Sequence, residues 1–235
     1  MALKIGKKKV FASILAGFMG MACLAAPHFN VQSSKDLAAA SVGENQSFLS
    51  ATTLAHKSNI TVDGSAVYIS FAKITVASGS KMDTFNGSVH TTTKSIDWLV
   101  PFGVKSRVSS TFGPRGAISG VPDASRNHGG VDIGIPTDVP IIAARDGVAS
   151  VYYATSNHTA GNYVNIDHGD GYISRYLHMT HHVVSSGQTV KAGQVIGYIG
   201  STGASSGSHL HYGIQYGGVA INPNQFLGLD ESFRL

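Results

Sequence analysis

The stretch Gly207-Ser208-His209-Leu210-His211-Tyr212-Gly213-Ile214 decides the interpretation of this chain. Its side chains alternate between polar and apolar, which is typical of a β-strand with one buried face. On a strand, His209 and His211 lie on the same face, about 6.6 Å apart along the chain. Two imidazoles on one face suit a metal site or an acid–base pair better than a hydrophobic core. One such pair among 11 histidines is weak evidence by itself, so partners are needed elsewhere in the sequence.

The composition predicts a mostly β fold. The chain has 28 glycines, no long helical period, and short Val/Thr/Tyr-rich runs separated by Gly, Asp and Asn turns. Strands at this spacing, without helices between them, predict an antiparallel sheet or open barrel with little helix and an N-terminal β-rich appendage. The predicted strands of the main domain are residues 139–143, 147–154, 162–167, 172–178, 195–199 and 209–215. Residues 222–227 are expected to form one short turn.

The first 26 residues have the pattern of a secretory signal. Lys4 to Lys9 form a basic start, Val10–Leu24 is apolar, and small residues follow. An apolar run of about 15 residues is short for a membrane span of about 20, so contact with the membrane is expected only if this segment is retained. We therefore predict export to the periplasm or cell envelope, with secretion as the second choice. The single cysteine, Cys23, excludes an internal disulfide.

The net charge of +4 arises in this leader. Without its four lysines, 13 of the 17 basic residues remain, equal to the 13 acidic ones. A near-neutral chain argues against a nucleic-acid partner, which would require surplus clustered Lys and Arg. The sequence gives no indication of oligomeric state.

Composition and hydrophobic pattern divide the remaining chain into three parts. Residues 27–59 are polar and aperiodic and are interpreted as a linker or loosely ordered arm. Residues 60–96 contain short strand patterns without recognisable chemistry and form a small β-rich appendage or pro-segment, for which one hypothesis is that it covers or positions a cleft. Residues 97–235 form the main domain.

Two further motifs supply partners for the histidine pair. His128 and Asp132 stand four residues apart with two glycines between them, which allows a tight fold. A catalytic zinc commonly takes three ligands from His and Asp/Glu and leaves one position open. His128, Asp132 and one of His209 or His211 supply such a set, and His178 adds another imidazole at the end of a predicted strand.

These motifs, in this order, resemble the lysostaphin/LytM-type zinc metallopeptidases, which cut peptidoglycan peptides. The matching segments are His128-x-x-x-Asp132, Tyr176-Leu-His178 and His209-Leu-His211, together with Ser110–Arg115 and Val190–Gly203. The resemblance covers about residues 98–227. This sequence departs from the family pattern in having Tyr212-Gly213 after His209-Leu-His211 and Met179 after His178.

The resemblance implies a function and a role for each residue. His128, Asp132 and His211 correspond to the Zn²⁺ ligands, and His178 and His209 to catalytic histidines that assist a zinc-activated water, with their individual roles left open. The implied activity is zinc-dependent endopeptidase cleavage of peptidoglycan stem peptides or cross-bridges. Which bond is cut stays open.

Two other function classes fit parts of the sequence. The Gly187–Gly197 hairpin resembles the turn of lipoyl or biotinyl carriers, but Lys191 lacks the flanking residues expected there. A catalytically weak peptidoglycan-binding protein that activates another hydrolase is the alternative within the family. Such proteins usually lose metal ligands, whereas this sequence keeps the complete set. Among the remaining histidines, His181 and His182 are the main rivals to His178.

Overall fold

The computed structural model describes residues 59–63, 66–70, 72–104, 106–122, 124–154 and 159–229. All of these residues lie in the compact unit Leu37–Leu235. The predicted signal (1–26) and the predicted arm (27–59), apart from Asn59, lie outside the described residues. Within the described part, no helix is long and apolar enough to cross a membrane.

Nearly all regular structure in the described part is β-strand. The strands before residue 100 are β1 Asn59–Asp63, β2 Ala66–Ser70, β3 Lys73–Val76, β4 Lys81–Asp83, β5 Val89–Thr91 and β6 Ile96–Leu99. The later strands are β7 Arg107–Ser110, β8 Gly113–Pro114, β9 Asn127–His128, β10 Val131–Gly134, β11 Pro140–Ile142, β12 Gly147–Tyr152, β13 Asn162–Asp167, β14 Tyr172–Met179, β15 His181–His182, β16 Thr189–Val190, β17 Val195–Tyr198, β18 His209–Tyr216 and β19 Val219–Ile221. A 3₁₀-helix, Asn224–Leu227, completes them.

A large antiparallel sheet organises the domain. Its strand order is β16-β12-β13-β14-β18-β10-β7, and β19 pairs with the second half of β18. A smaller sheet, β11-β17-β15, and four two-stranded pairs complete the structure described. The predicted mostly β, antiparallel fold with little helix is therefore confirmed, in the form of open sheets.

Side-chain alternation explains how the two central strands face the core. In β18, Leu210, Tyr212 and Ile214 are buried, while His209 and His211 alternate with them on the other face. The neighbouring strand β14 has the same pattern up to Tyr176. Burial of such side chains stabilises the fold by about 1.5–3 kcal/mol each, so the apolar set fixes the register and with it the face on which the histidines lie.

The strands before residue 100 contribute to the same core. Val76, Met82, Ile96 and Trp98 are buried within the cluster that contains the side chains of the large sheet. The indole Nε1 of Trp98 donates a hydrogen bond to Tyr212 Oη on β18. The core is thus continuous across the predicted boundary between residues 96 and 97. The domain division itself stays a prediction.

Candidate metal centre

A tight turn brings His128 next to Asp132. His128 ends β9, Gly129 and Gly130 form the turn, and Asp132 lies in β10. A Cβ atom at Gly130 would lie 2.5 Å from the carbonyl oxygen of Tyr212 and 2.7 Å from His211 Nε2. Such contacts are too short for any side chain, so glycine is required for β9 and β10 to approach β18 this closely.

Strand pairing then places the third group. Asp132 and His211 are directly opposite each other in the antiparallel pair of β10 and β18. His128 Nε2 lies 3.0 Å from Asp132 Oδ1 and 2.9 Å from His211 Nδ1, and His211 Nδ1 lies 2.9 Å from the same Oδ1. Three atoms of the kinds that bind metal ions therefore converge in one small triangle.

The protons available to this triangle are too few for its contacts. His128 Nδ1 lies 2.8 Å from the carbonyl oxygen of Thr111, which can only accept, so Nδ1 carries the proton. A neutral His128 then presents a lone pair at Nε2 to Asp132 Oδ1, which is also an acceptor. A single proton on His211 Nδ1 cannot serve all three contacts. A cation would satisfy all three, and zinc–ligand distances of about 2.0–2.2 Å suit atoms this close together.

Arg115 fixes the other oxygen of the carboxylate. Its Nη1 donates to Asp132 Oδ2 at 2.9 Å and to Ser110 Oγ at 3.0 Å. The pairing of β8 with β9 and the bond from Arg115 N to Arg126 O, at 2.9 Å, bring this arginine beside the turn. With Oδ2 held by Arg115, Oδ1 alone faces the histidines, which is the kind of outer contact that orients a metal ligand.

The remaining two predicted histidines lie beside the triangle. His209 Nε2 is 3.7 Å from Asp132 Oδ1, and the His178 and His209 rings are 4.6 Å apart between centroids. Both rings are oriented by the backbone, because His209 Nδ1 lies 2.8 Å from the Gly207 carbonyl oxygen and His178 Nδ1 lies 2.8 Å from that of Thr202. Each Nδ1 therefore donates, and each Nε2 is left with a free lone pair.

Electrostatics keep the set in the form that binds a cation. Burial by itself would raise the pKa of Asp132, but the contacts of the carboxylate with His128 and His211 outweigh burial and hold that pKa well below its usual range. Burial lowers the pKa of His211 to about 4 against the opposing effect of Asp132. Burial, together with the neighbouring His209, lowers the pKa of His178 to about 4. An ionised carboxylate and neutral imidazoles are the states that metal ligation requires.

His178 has an unusual backbone conformation. Its φ of 62° lies in the left-handed region, which a non-glycine residue rarely adopts. The backbone around it is closely packed, since its N–H donates to the Ala160 carbonyl oxygen at 3.0 Å. A Cβ at Gly161 would lie 2.4 Å from the Thr202 carbonyl oxygen, which is the oxygen that orients the His178 ring. Such strain persists only where surrounding contacts fix it, and it is concentrated at functional sites.

Comparison with known proteins identifies this arrangement. Residues 126–223, which contain all five predicted site residues, match the family described as Peptidase family M23. This part of the chain belongs to peptidase family M23. The resemblance to lysostaphin/LytM-type peptidases is therefore confirmed.

Several known proteins are similar to about half of this chain. The peptidoglycan DD-endopeptidase ShyC of Vibrio cholerae is 44% identical over 117 residues, which is 50% of this chain and 26% of ShyC. ShyA of the same organism, also a peptidoglycan DD-endopeptidase, is 42% identical over 123 residues, or 52% of this chain and 28% of ShyA. The catalytic domain of lysostaphin from Staphylococcus simulans is 32% identical, with a TM-score of 0.45, covering 52% of this chain and 92% of that domain. The chain thus matches about a quarter of the length of ShyC and ShyA.

The structure of the M23 domain brings all five predicted site residues together. His128, Asp132 and His211 form the triangle, and His178 and His209 lie beside it. His181 and His182, the rivals to His178, lie in β15 of the smaller sheet, where His181 stacks on Tyr198. Sequence reasoning missed the contact of Arg115 with Asp132. The signal that could have found it is the position of Arg115 at the end of the family-like segment Ser110–Arg115, upstream of His128.

The hairpin of β4 and β5 reaches the edge of this site. Phe85 lies at its tip, and its backbone N–H donates to the Ala220 carbonyl oxygen at 2.7 Å. A Cβ at Gly129 would lie 3.9 Å from the Phe85 ring, so this ring borders the turn that carries His128. The hypothesis that residues 60–96 position the cleft stays a prediction, and Phe85 is the residue through which this would occur.

Proposed function

We propose that this protein is a zinc-dependent peptidoglycan DD-endopeptidase. The observation that carries the proposal is the triangle of His128 Nε2, Asp132 Oδ1 and His211 Nδ1, whose contacts of 2.9–3.0 Å need a cation. The relatives ShyC and ShyA, both named peptidoglycan DD-endopeptidases, support the substrate class. Two nitrogens and one carboxylate oxygen form a donor set that suits zinc.

Zinc would be held by His128, Asp132 and His211. When bound, zinc lowers the pKa of a coordinated water and polarises the scissile carbonyl. The protein contributes the orientation of the ligands: the Thr111 carbonyl sets the tautomer of His128, and Arg115 sets the direction of the carboxylate. These outer contacts hold the ligand atoms in place before any ion arrives.

His178 and His209 would carry the protons of the reaction. The only ring nitrogen that each has free is Nε2, because Nδ1 donates to a backbone carbonyl. A neutral imidazole with a free Nε2 can accept the proton of the attacking water, and after protonation it can donate to the developing oxyanion or to the leaving amine. The lowered pKa of His178 keeps it neutral, which is the state in which Nε2 can accept a proton.

The setting of the reaction follows from the substrate class. Peptidoglycan peptides are the proposed partner, and we propose export through the segment 1–26 to the periplasm or cell envelope. A non-catalytic wall-binding protein that activates another hydrolase is the alternative. The complete triangle and the two oriented histidines favour the enzyme, because binding alone requires none of these contacts.

Metal analysis and a digest of purified muropeptides test this proposal together. The mature protein is expected to bind about one zinc ion per chain and to release peptides from cross-linked muropeptides, with products identified by mass spectrometry. The His211→Ala variant should lose both properties. Full hydrolysis by that variant would contradict the proposed site, and zinc binding without hydrolysis by the wild type would favour the non-catalytic alternative.

A further inference from the structure

Arg175 lies on the open face of the large sheet beside the metal centre. In the pairing of β14 with β18, Arg175 is opposite Gly213 and Leu177 is opposite His211. A Cβ at Gly213 would lie 3.6 Å from Arg175 Cβ and 3.8 Å from His211 Nε2. Because Gly213 has no side chain, nothing of that residue stands between the base of Arg175 and the ring of His211.

The guanidinium of Arg175 has few partners of its own. Its Nε donates to Asn165 Oδ1 at 3.2 Å, and its Cζ lies 5.9 Å from the centre of the Tyr163 ring. Among the described residues, no carboxylate lies within 4.0 Å of this guanidinium. None of them forms a hydrogen bond with its two terminal nitrogens, Nη1 and Nη2. The side chain is nevertheless half-buried, and burial lowers the pKa of Arg175.

Two other arginines of the domain, Arg115 and Arg145, each form an ion pair with a carboxylate, which Arg175 does not. Arg115 Nη1 donates to Asp132 Oδ2 at 2.9 Å, and Arg145 Nη2 donates to Asp170 Oδ2 at 3.0 Å. A partly buried cation without a counter-ion loses part of its hydration without compensation, and a ligand that carries a negative charge would supply that compensation. The ligand that matches the fork of a guanidinium is a planar oxyanion such as a carboxylate.

We propose that Arg175 binds a free carboxylate of the peptide substrate, on the residue whose amine is released by the cleavage. This inference rests on the proposed function. In a cross-link between D-alanine and the D-centre of diaminopimelate, this carboxylate is attached to the carbon that carries the scissile nitrogen, within about 4 Å of the carbonyl carbon. That spacing places it next to the metal centre, and the Cβ of Arg175 lies beside Gly213, two residues along β18 from His211.

The inference distinguishes a direct cross-link between stem peptides from a glycine cross-bridge. A glycine cross-bridge has no free carboxylate beside its internal amides, so it would leave the terminal nitrogens of Arg175 without a partner. A stem-peptide cross-link supplies one. Arg175 therefore acts as a specificity-determining residue that favours the direct cross-link and aligns its scissile amide.

Two cross-linked muropeptide dimers that differ in one group test the inference. Both contain the D-alanine–diaminopimelate cross-link; in one the carboxyl beside the scissile amide is free, and in the other it is amidated. The zinc-loaded wild type is expected to cleave the free acid with a kcat/KM at least about tenfold higher, mainly through KM. In Arg175→Gln this ratio should fall to about one. Arg175→Lys should keep part of it, because lysine retains the charge without the fork.

The ratio separates recognition from damage to the fold, because a partly unfolded enzyme loses activity on both dimers equally. Arg145→Gln is the matched control: it also removes a half-buried arginine, but one already paired with Asp170, and it should keep the wild-type ratio. Equal cleavage of the two dimers by the wild type, or an unchanged ratio in Arg175→Gln, would overturn the inference. If the wild type cleaves neither dimer, the proposed function fails instead, and calorimetric binding of the two dimers still decides the carboxylate contact.

Discussion

Histidines on the two sides of the large sheet differ in how many of their ring nitrogens have a compatible hydrogen-bond partner. On the core side, His168 Nδ1 lies 2.8 Å from the Asp146 carbonyl oxygen and Nε2 lies 3.0 Å from Ser174 Oγ, while the ring packs edge-on against Trp98. Both nitrogens have a compatible partner. The network continues from Ser174 Oγ to Tyr176 Oη, 2.9 Å away.

On the open side, the histidines are only half satisfied. His178 and His209 are anchored through Nδ1 and have Nε2 free, and His128 Nε2, His211 Nδ1 and Asp132 Oδ1 lie together with too few protons to serve all three contacts. Burial lowers the pKa of both His168 and His178 to about 4, so the pKa alone does not separate the two faces. What separates them is the remaining bonding capacity. A histidine with both ring nitrogens hydrogen-bonded, such as His168, stabilises the fold, whereas one with a ring nitrogen that lacks a partner can still bind a ligand.

The largest expected effect comes from removing a member of the triangle. His211→Ala should lose the bound zinc and essentially all hydrolysis, since two remaining ligands hold the ion weakly. His168→Gln, on the core side, should keep about one zinc per chain. Inductively coupled plasma mass spectrometry on both variants makes the comparison. Loss of zinc from His168→Gln in a folded protein would erase the distinction between the two faces.

The next effect concerns rate without metal loss. His178→Ala and His209→Ala should each lower kcat by about 10²–10⁴-fold, the usual contribution of a proton-transferring group, while zinc content stays near that of the wild type. Single-turnover cleavage of a muropeptide dimer by zinc-quantified enzyme provides the measurement. Concurrent loss of zinc from His209→Ala would make it a ligand in place of His211.

A smaller effect, on zinc affinity, is expected from Arg115, which contacts the ligand Asp132 but is not itself a proposed ligand. Arg115→Gln frees Asp132 Oδ2 and should weaken zinc binding by about 10–100-fold, as the loss of an outer partner commonly does. Competition with a chromophoric chelator measures the affinity. Arg107→Gln, which removes an exposed arginine in β7, is the control and should bind zinc like the wild type. Equal affinity of the two variants would show that Arg115 serves folding alone.

The smallest effect is a change in the pH dependence of stability. His168 has a folded pKa of about 4 against 6.5 when unfolded, so between these values the unfolded chain binds more protons and stability falls as the pH falls. Its contribution is complete above pH 6.5 and declines by at most about 1.4 kcal/mol per pH unit toward pH 4. Urea unfolding of metal-free protein at pH 7 and pH 5 should therefore show a shallower decline for His168→Gln. An equal fall in unfolding free energy from pH 7 to pH 5 in the wild type and in His168→Gln would contradict the lowered pKa of His168.

The strands that carry the site were predictable from side-chain alternation. Residues 172–178 and 209–215 were expected as strands, and β14 and β18 are Tyr172–Met179 and His209–Tyr216. A period of two fixes which face each residue occupies, so His209 and His211 could be assigned to one face from the sequence. The partner strand of His211 could not, because β10 lies 79 residues earlier in the chain and nothing local encodes that pairing.

Contacts that depend on tertiary packing were beyond the sequence. The bond from Arg115 to Asp132 requires the β8–β9 pair, and the positive φ of His178 requires the close approach of Thr202 and Gly161. The lack of a carboxylate partner for Arg175 among the described residues is likewise visible only when the neighbouring strands are in place. The identity of a residue predicts which hydrogen bonds and metal contacts its side chain can form. Which of these contacts the protein itself leaves unmade can be read only from the folded sheet.

The bond between Trp98 and Tyr212 determines where this domain can be cut and rejoined. Tyr212 is the buried neighbour of His211 on β18, and its hydroxyl is capped by a residue that lies 28 positions before the M23 match begins. A graft that began at residue 126 would remove the Trp98 donor from that hydroxyl and leave the core positions of Val76 and Met82 empty. We therefore expect that a transferred domain must start near Ala72 to keep its core complete.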